Sequence, residues 1–81
     1  MTVNLAPSQI CLLNSLSLGD RPLTIKDWDR IAEDLQVLVD LNFVSTDYSG
    51  EIEVEKSAAY VLQDFERGAF IEAGGTLMFR V

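Results

Sequence analysis

Apolar residues at helical spacing predict three helices, each followed by a residue type that commonly ends helices. The first helix covers about residues 8–18, opened by either Pro7 or Ser8, with Ser8 as a candidate N-cap and Gly19 after its last turn. The third helix begins at Ser57, which is placed to cap it, and closes at Gly68. These helices are separated by turn-rich or β-branched segments, so each is expected to be an independent element.

The second helix, residues 25–42, carries the strongest amphipathic pattern in the chain. Thr24 is placed to cap its start, Asp27 to complete a variant capping box, and Asn42 to end it. The pattern predicts a core-facing stripe on one side and acidic residues on most of the other. The predicted core-facing residues are Ile25, Trp28, Ile31, Ala32, Leu35, Leu38 and Val39.

Alternating and β-branched segments predict two hairpins. The first covers residues 43–55 and turns at Asp47-Tyr48-Ser49-Gly50, and the second covers residues 69–81 and turns at Gly74-Gly75. The apolar C-terminal strand either closes a sheet within the monomer, which is the favoured expectation, or pairs across a dimer interface. Helices and hairpins without βαβ alternation predict one α+β domain over residues 1–81.

Three segments carry a resemblance to a known family. Residues 38–44 look like the end of a recognition helix that passes into a wing strand, residues 47–50 resemble a wing tip, and residues 53–62 resemble a strand-to-helix passage. Residues 8–66 thus resemble winged-helix domains, and the fold is expected to be winged-helix-like. The resemblance implies a DNA-binding transcriptional regulator, acting as a dimer. The residues that would contact DNA are Lys26, Arg30 and Lys56.

Charge changes the expectation that follows from this resemblance. Thirteen acidic and six basic residues give the 81-residue chain a formal net charge of −7. A field of this sign disfavours nucleic acid and anionic lipid and favours basic partners. Lys26 and Arg30 lie only near the start of the second helix, and the first hairpin has no Lys or Arg between Asp47 and Glu55. Binding to nucleic acid is therefore not the favoured expectation.

Composition also excludes several kinds of chemistry. The chain has no histidine, so a histidine-based triad or general base is excluded within it, and one cysteine without histidine excludes the usual structural zinc sites. Gly74-Gly75 lacks the lysine of a phosphate-binding loop. Cys11 lies within the apolar part of the first helix and is predicted to be an inert packing residue. We expect no catalytic site, no cofactor and no metal site.

The most specific functional candidate is the row formed by Glu51, Glu53 and Glu55. Alternate residues of a strand lie about 7 Å apart on one face, and Asp47 at the turn extends this row. It is either a solvated face that prevents aggregation or a surface that binds a basic partner, with a calcium site as a weaker third option. Tyr48 is either an exposed anchor for that partner or a packing residue.

The favoured function is a non-enzymatic protein–protein interaction module, a small regulator or inhibitor that presents the acidic residues 47–55 of the first hairpin to a basic protein. The alternatives are a winged-helix DNA-binding regulator and a structural or assembly component that acts as an oligomer. The chain is expected to be a monomer or a homodimer. No apolar run approaches the roughly 18 residues of a membrane span, and the N-terminus lacks signal-peptide features, so a cytoplasmic protein is expected. Such size and acidity are typical of small phage proteins.

Overall fold

The computed structural model describes residues 2–80, and within them the chain forms three α-helices, one 3₁₀ turn and five strands. The predicted α+β class is confirmed, and the predicted helices and hairpins occur in the expected order. Met1 and Val81, which the sequence placed at the two ends of the domain, lie outside the described residues. The elements are β1 (Thr2–Leu5), α1 (Pro7–Ser17), α2 (Ile25–Asp40), β2 (Val44–Thr46), β3 (Ile52–Val54), the 3₁₀ turn Lys56–Ala58, α3 (Ala59–Arg67), β4 (Ile71–Ala73) and β5 (Thr76–Arg80).

Strand β1 was not predicted, because four residues give too short a pattern to distinguish a strand from an irregular segment. It pairs antiparallel with β5 and places Val3 opposite Phe79 and Leu5 opposite Leu77, so that all four side chains are buried on one face. β5 also pairs with β4, which makes it the central strand of the order β1-β5-β4. The C-terminal strand therefore closes a sheet within the chain, as the favoured expectation held, rather than being left with a free edge.

Helix α1 lies at the centre of the fold and contacts α2, α3, β1 and β3. Its buried stripe consists of Ile10, Leu13 and Leu16, which lie three positions apart. Cys11, expected to be a packing residue, is instead exposed. At about 100° per residue, Cys11 is rotated roughly 160° from the middle of that stripe. The prediction for this thiol was wrong because an apolar neighbourhood in sequence is not the buried face of a helix.

The start of α1 also differs from the prediction. Ala6, not Ser8, is the N-cap, and Pro7 occupies the first helical position, where its missing N–H costs no hydrogen bond. The Ala6 backbone N–H donates to Gln9 Oε1 at 2.8 Å. Ser8 lies one residue inside the helix, so its predicted role as a cap is wrong.

Helix α2 has the predicted caps at both ends. Asp27 N donates to Thr24 Oγ1 at 3.1 Å, and Thr24 N donates back to Asp27 Oδ2 at 3.3 Å. At the other end, Asn42 adopts a left-handed conformation with φ of 62°, and Phe43 N donates to the Leu38 carbonyl at 3.0 Å. This pair of features is a Schellman ending, which reverses the chain sharply. It directs the chain from α2 straight into β2.

Three further predicted details of the helices are wrong. Ala32, placed on the core-facing stripe of α2, is exposed. Ile25, placed on the core-facing stripe of α2, is exposed because it lies in the first turn, about 80° from the middle of that stripe. Ser57 does not cap α3, since the N-cap is Ala58 and Ser57 lies in the preceding 3₁₀ turn. The Ser57 hydroxyl instead donates to the Asn42 carbonyl, which joins the end of α2 to the segment after β3.

One hydrophobic cluster joins helices and strands, so the described chain has a single core. Aromatic rings connect α3 to the sheet: the ring centroids of Phe65 and Phe70 are 6.0 Å apart, and those of Phe70 and Phe79 are 5.5 Å apart. These rings lie beside the second hairpin. The first hairpin, β2–β3, packs against α1 and α2 instead. The buried members of the cluster are Val3, Leu5, Ile10, Leu13, Leu16, Leu35, Leu38, Phe43, Val44, Ile52, Ala58, Val61, Leu77 and Phe79.

Candidate interaction surface

The first hairpin is held to the core by one face and leaves its other face accessible. Val44 and Ile52 are buried against the core, and Val54, opposite Val44, is half-buried. Ser45 lies opposite Glu53 on the other face. This alternation is the one that the sequence predicted, and it follows from the period of two residues in a strand. We call residues 47–55 the acidic hairpin.

Asp47 organises the turn of the acidic hairpin. Its Oδ1 accepts hydrogen bonds from Ser49 N at 2.9 Å, Ser49 Oγ at 2.6 Å and Glu51 N at 3.0 Å. The hydrogen bond from the Ser49 hydroxyl, followed by that from the Glu51 backbone, lowers the pKa of the Asp47 carboxyl below its ordinary value. Asp47 is thus an ionised structural residue of the turn. Tyr48 at the tip of the turn is fully exposed, so the packing alternative for this side chain is wrong.

The three glutamates of the hairpin are not equivalent. Glu51 and Glu53 are exposed, whereas Glu55 is half-buried and its Oε1 accepts a hydrogen bond of 2.7 Å from Ser45 Oγ. Lys56 lines the same shallow depression as Glu53 and Glu55. Within residues 2–80, however, the ion pair of Arg30 with Asp27, at 4.0 Å, is the only one within that distance. Glu51 and Glu53 therefore have no ion-pair partner within the described chain.

The three cations named for DNA contact lie on two different parts of the fold. Lys26 and Arg30 are exposed in the first half of α2, and Lys56 follows β3. The hydrogen bond of Ser57 with the Asn42 carbonyl places this second part beside the C-terminal end of α2. A helix of sixteen residues is about 24 Å long, so these cations are near opposite ends of α2.

Trp28 lies between the α1–α2 connection and the acidic hairpin. It is half-buried and packs against the core cluster, as the sequence predicted for its face of α2. It also lines a shallow depression together with Arg21 and Pro22 from the connection and Gly50 and Glu51 from the hairpin. No sequence pattern predicts this neighbourhood, because the two segments are about 30 residues apart along the chain.

The α1–α2 connection carries an apolar feature that the sequence analysis missed. Leu18, Leu23 and Ile25 are all exposed around this short segment. No local pattern identifies them, and the position of Leu23 predicts the opposite: it lies directly before the N-cap Thr24, where an apolar residue often packs back onto the fourth helical residue. That fourth residue is Trp28, yet Leu23 remains exposed.

Within residues 2–80, no cluster of three or more cysteine and carboxylate side chains has the arrangement of a metal site. The Asp47 oxygen considered for calcium is used by the hydrogen bonds of its own turn. None of the helices described is long and apolar enough to cross a membrane. No protein-family model, curated protein or solved structure matches this chain in comparisons with each of these three sets.

Proposed function

We propose that this chain is a non-enzymatic protein–protein interaction module, a small regulator or inhibitor, whose acidic hairpin binds a basic partner protein. The observation that carries the proposal is the charge of this hairpin. Residues 47–55 contain four carboxylates and no lysine or arginine. A surface of one sign attracts residues of the other sign, increases the rate of association and disfavours partners of like charge.

The exposure of Glu51 and Glu53 supports this role. Both are held on one face of a hairpin whose other face is packed on the core, so the backbone that presents them is anchored. Since they form no ion pair within residues 2–80, their charge is available to lysine or arginine of a second protein. Tyr48 is also accessible at the tip, and tyrosine is among the residues enriched in binding hot spots.

Neutralising the hairpin tests the proposal. A variant with Glu51→Gln, Glu53→Gln and Glu55→Gln keeps the shape of the side chains and changes the net charge from −7 to −4. We expect it to lose basic proteins in affinity capture from cells. We also expect it to bind a lysine-rich peptide more weakly and with less dependence on salt, because screening acts on these charges.

A matched control removes the same charge elsewhere. Glu33, Glu66 and Glu72 are exposed on α2, α3 and β4, and their replacement by glutamine also gives a net charge of −4. This control is expected to retain the captured partners and most of the affinity for the peptide. Equal losses in both triple variants, or an unchanged set of partners in the hairpin variant, would contradict a specific role for the hairpin.

A winged-helix DNA-binding regulator is the second candidate. The order α1, α2, β2, β3 supports it, since a helix, a longer helix and a two-stranded wing follow one another in that family. Its contacts would come from Lys26, Arg30 and Lys56. A gel-shift assay at low salt tests it, because phosphate contacts are strongest there. Retardation of DNA by micromolar protein that is lost in an Arg30→Gln variant would favour this candidate over the first.

A further inference from the structure

Three large aliphatic side chains in and next to the α1–α2 connection are exposed to solvent. The exposed fractions are 76% for Leu18, 87% for Leu23 and 83% for Ile25. Single exposed apolar residues are ordinary on protein surfaces, but several on one short segment mark an interaction site. The capping of α2 leaves Leu23 and Ile25 on either side of Thr24, so the backbone that presents both is ordered by hydrogen bonds.

The α1–α2 connection, residues 18–24, passes beside the acidic hairpin. Arg21 and Pro22 of the connection line one depression with Gly50 and Glu51 of the hairpin, and a Cβ atom built on Gly50 would be 3.9 Å from the Trp28 ring. The exposed Tyr48 is two residues from Gly50. The connection and the tip of the hairpin are therefore neighbours on the surface, and the exposed Leu23, Ile25 and Tyr48 each lie within three residues of a residue that lines this depression.

We propose that Leu18, Leu23, Ile25 and Tyr48 are the apolar half of the partner-binding surface, and that they bind a basic amphipathic segment of the partner protein. This inference rests on the proposed function of the acidic hairpin. The apolar residues define the surface, and the carboxylates beside them select an occupant that carries lysine or arginine next to its own apolar side chains.

The charges of the surface select this occupant over a membrane or a second copy. An anionic lipid surface would face the carboxylates of the acidic hairpin and be repelled. A second copy meeting this end would bring another hairpin of the same sign. Arg21 and Lys26 keep their positive charge on this side of the molecule, but they are outnumbered by the four carboxylates of the acidic hairpin.

Two synthetic peptides test the proposal. The first is a 15-residue helix-forming peptide of leucine and lysine with all leucines on one face, and the second has serine in place of every leucine. Neither contains tryptophan, so Trp28, the only tryptophan of the chain, reports binding by its emission. We expect the leucine peptide to bind about tenfold more tightly than the serine peptide, because apolar contact adds to the charge attraction.

The decisive variant combines Leu23→Ser with Ile25→Ser. It is expected to bind the leucine peptide about tenfold more weakly than the wild type while binding the serine peptide equally well, since only apolar contacts are removed. Ile71→Ser is the matched control: Ile71 is 53% exposed on β4, on a different element of the fold. This control is expected to bind both peptides like the wild type, and circular dichroism checks that each variant is folded.

Several results would overturn the inference. If the double variant binds the leucine peptide with wild-type affinity, or if the Ile71→Ser control loses as much affinity, the apolar residues have no specific role in binding. Either result would leave the proposed role of the acidic hairpin standing. A variant with Glu51→Gln and Glu53→Gln tests the proposed function separately. Weaker binding of both peptides by this variant supports that function, and unchanged binding of both peptides would reject it. Binding to anionic vesicles, or a wild-type dimer that Leu23→Ser and Ile25→Ser dissociate, would assign this surface to a membrane or to a second copy.

Discussion

The hydrogen bond between Ser45 and Glu55 predicts that Glu55 stabilises the fold, whereas Glu51 and Glu53 remain available to bind a partner. Ser45 Oγ lies 2.7 Å from Glu55 Oε1, whereas the residue paired with Ser45 across the strands is Glu53. A hydrogen bond to a charged acceptor contributes about 1.5–3 kcal/mol when it is well buried. Because both side chains are only half-buried, we expect a coupling of about 1 kcal/mol.

This magnitude is large enough to measure. A domain of this size has a total stability of about 4–12 kcal/mol, and 1 kcal/mol changes its Tm by about 4–8 °C. A double-mutant cycle with Ser45→Ala and Glu55→Ala isolates the pairwise contribution to the free energy of unfolding. Urea titration followed by Trp28 emission gives that free energy for all four proteins of the cycle.

The control cycle combines Ser45→Ala with Glu53→Ala. Glu53 is the neighbour across the strands but accepts no hydrogen bond from Ser45, so its coupling is expected to be smaller than that of Glu55, about 0.2–0.5 kcal/mol for a cross-strand pair. A coupling below about 0.3 kcal/mol in the first cycle, or a larger coupling in the control cycle, would refute the assignment of Glu55 to folding. A confirmed coupling would leave Glu51 and Glu53 as the glutamates available to a partner.

Four further outcomes follow from the structure. Phe79→Ala, at a fully buried position in the central strand, is expected to cost about 3–5 kcal/mol in urea unfolding; a loss under 1 kcal/mol would contradict its place in the core. Asn42→Val should lower the free energy of unfolding by about 1–2 kcal/mol because a β-branched residue resists the left-handed conformation, and Asn42→Gly should not. Cys11 should react with a thiol reagent in the native protein without prior unfolding, and protection would contradict its exposure. Because its pKa is lowered in the folded state, ionised Asp47 stabilises the turn above about pH 4, and this contribution is lost as the pH falls through the folded pKa. The difference in Tm between the wild type and Asp47→Asn should therefore shrink in acid.

Local patterns predicted the elements well where the determinants are close in sequence. The Thr24–Asp27 cap, the end of α2 at Asn42 and the alternation of the acidic hairpin each depend on residues within a few positions of one another. Such features follow from backbone hydrogen bonding and from the periods of helix and strand. Strand β1 was missed because its evidence is its partner β5, which lies more than 70 residues away.

The candidate surface was predicted only in part for the same reason. The sequence located the carboxylates and the turn of the hairpin, since alternation and turn residues indicate which side chains face water, but it left open whether Tyr48 at the tip is exposed or packed. It did not distinguish Glu55 from Glu51, because that difference depends on Ser45 in the neighbouring strand. It also did not place the α1–α2 connection beside the hairpin, a contact made through Trp28.

The sequence by itself determined the α+β class, the order of the helices and hairpins and the concentration of negative charge on residues 47–55. The tertiary structure decided which of the apolar side chains are buried. Cys11 and Leu23 have apolar neighbours along the chain, yet both are exposed because no other element packs over them. Burial depends on segments that are distant in sequence, whereas a helix or a turn depends on adjacent residues, and this is why only the fold revealed the apolar surface next to the acidic hairpin.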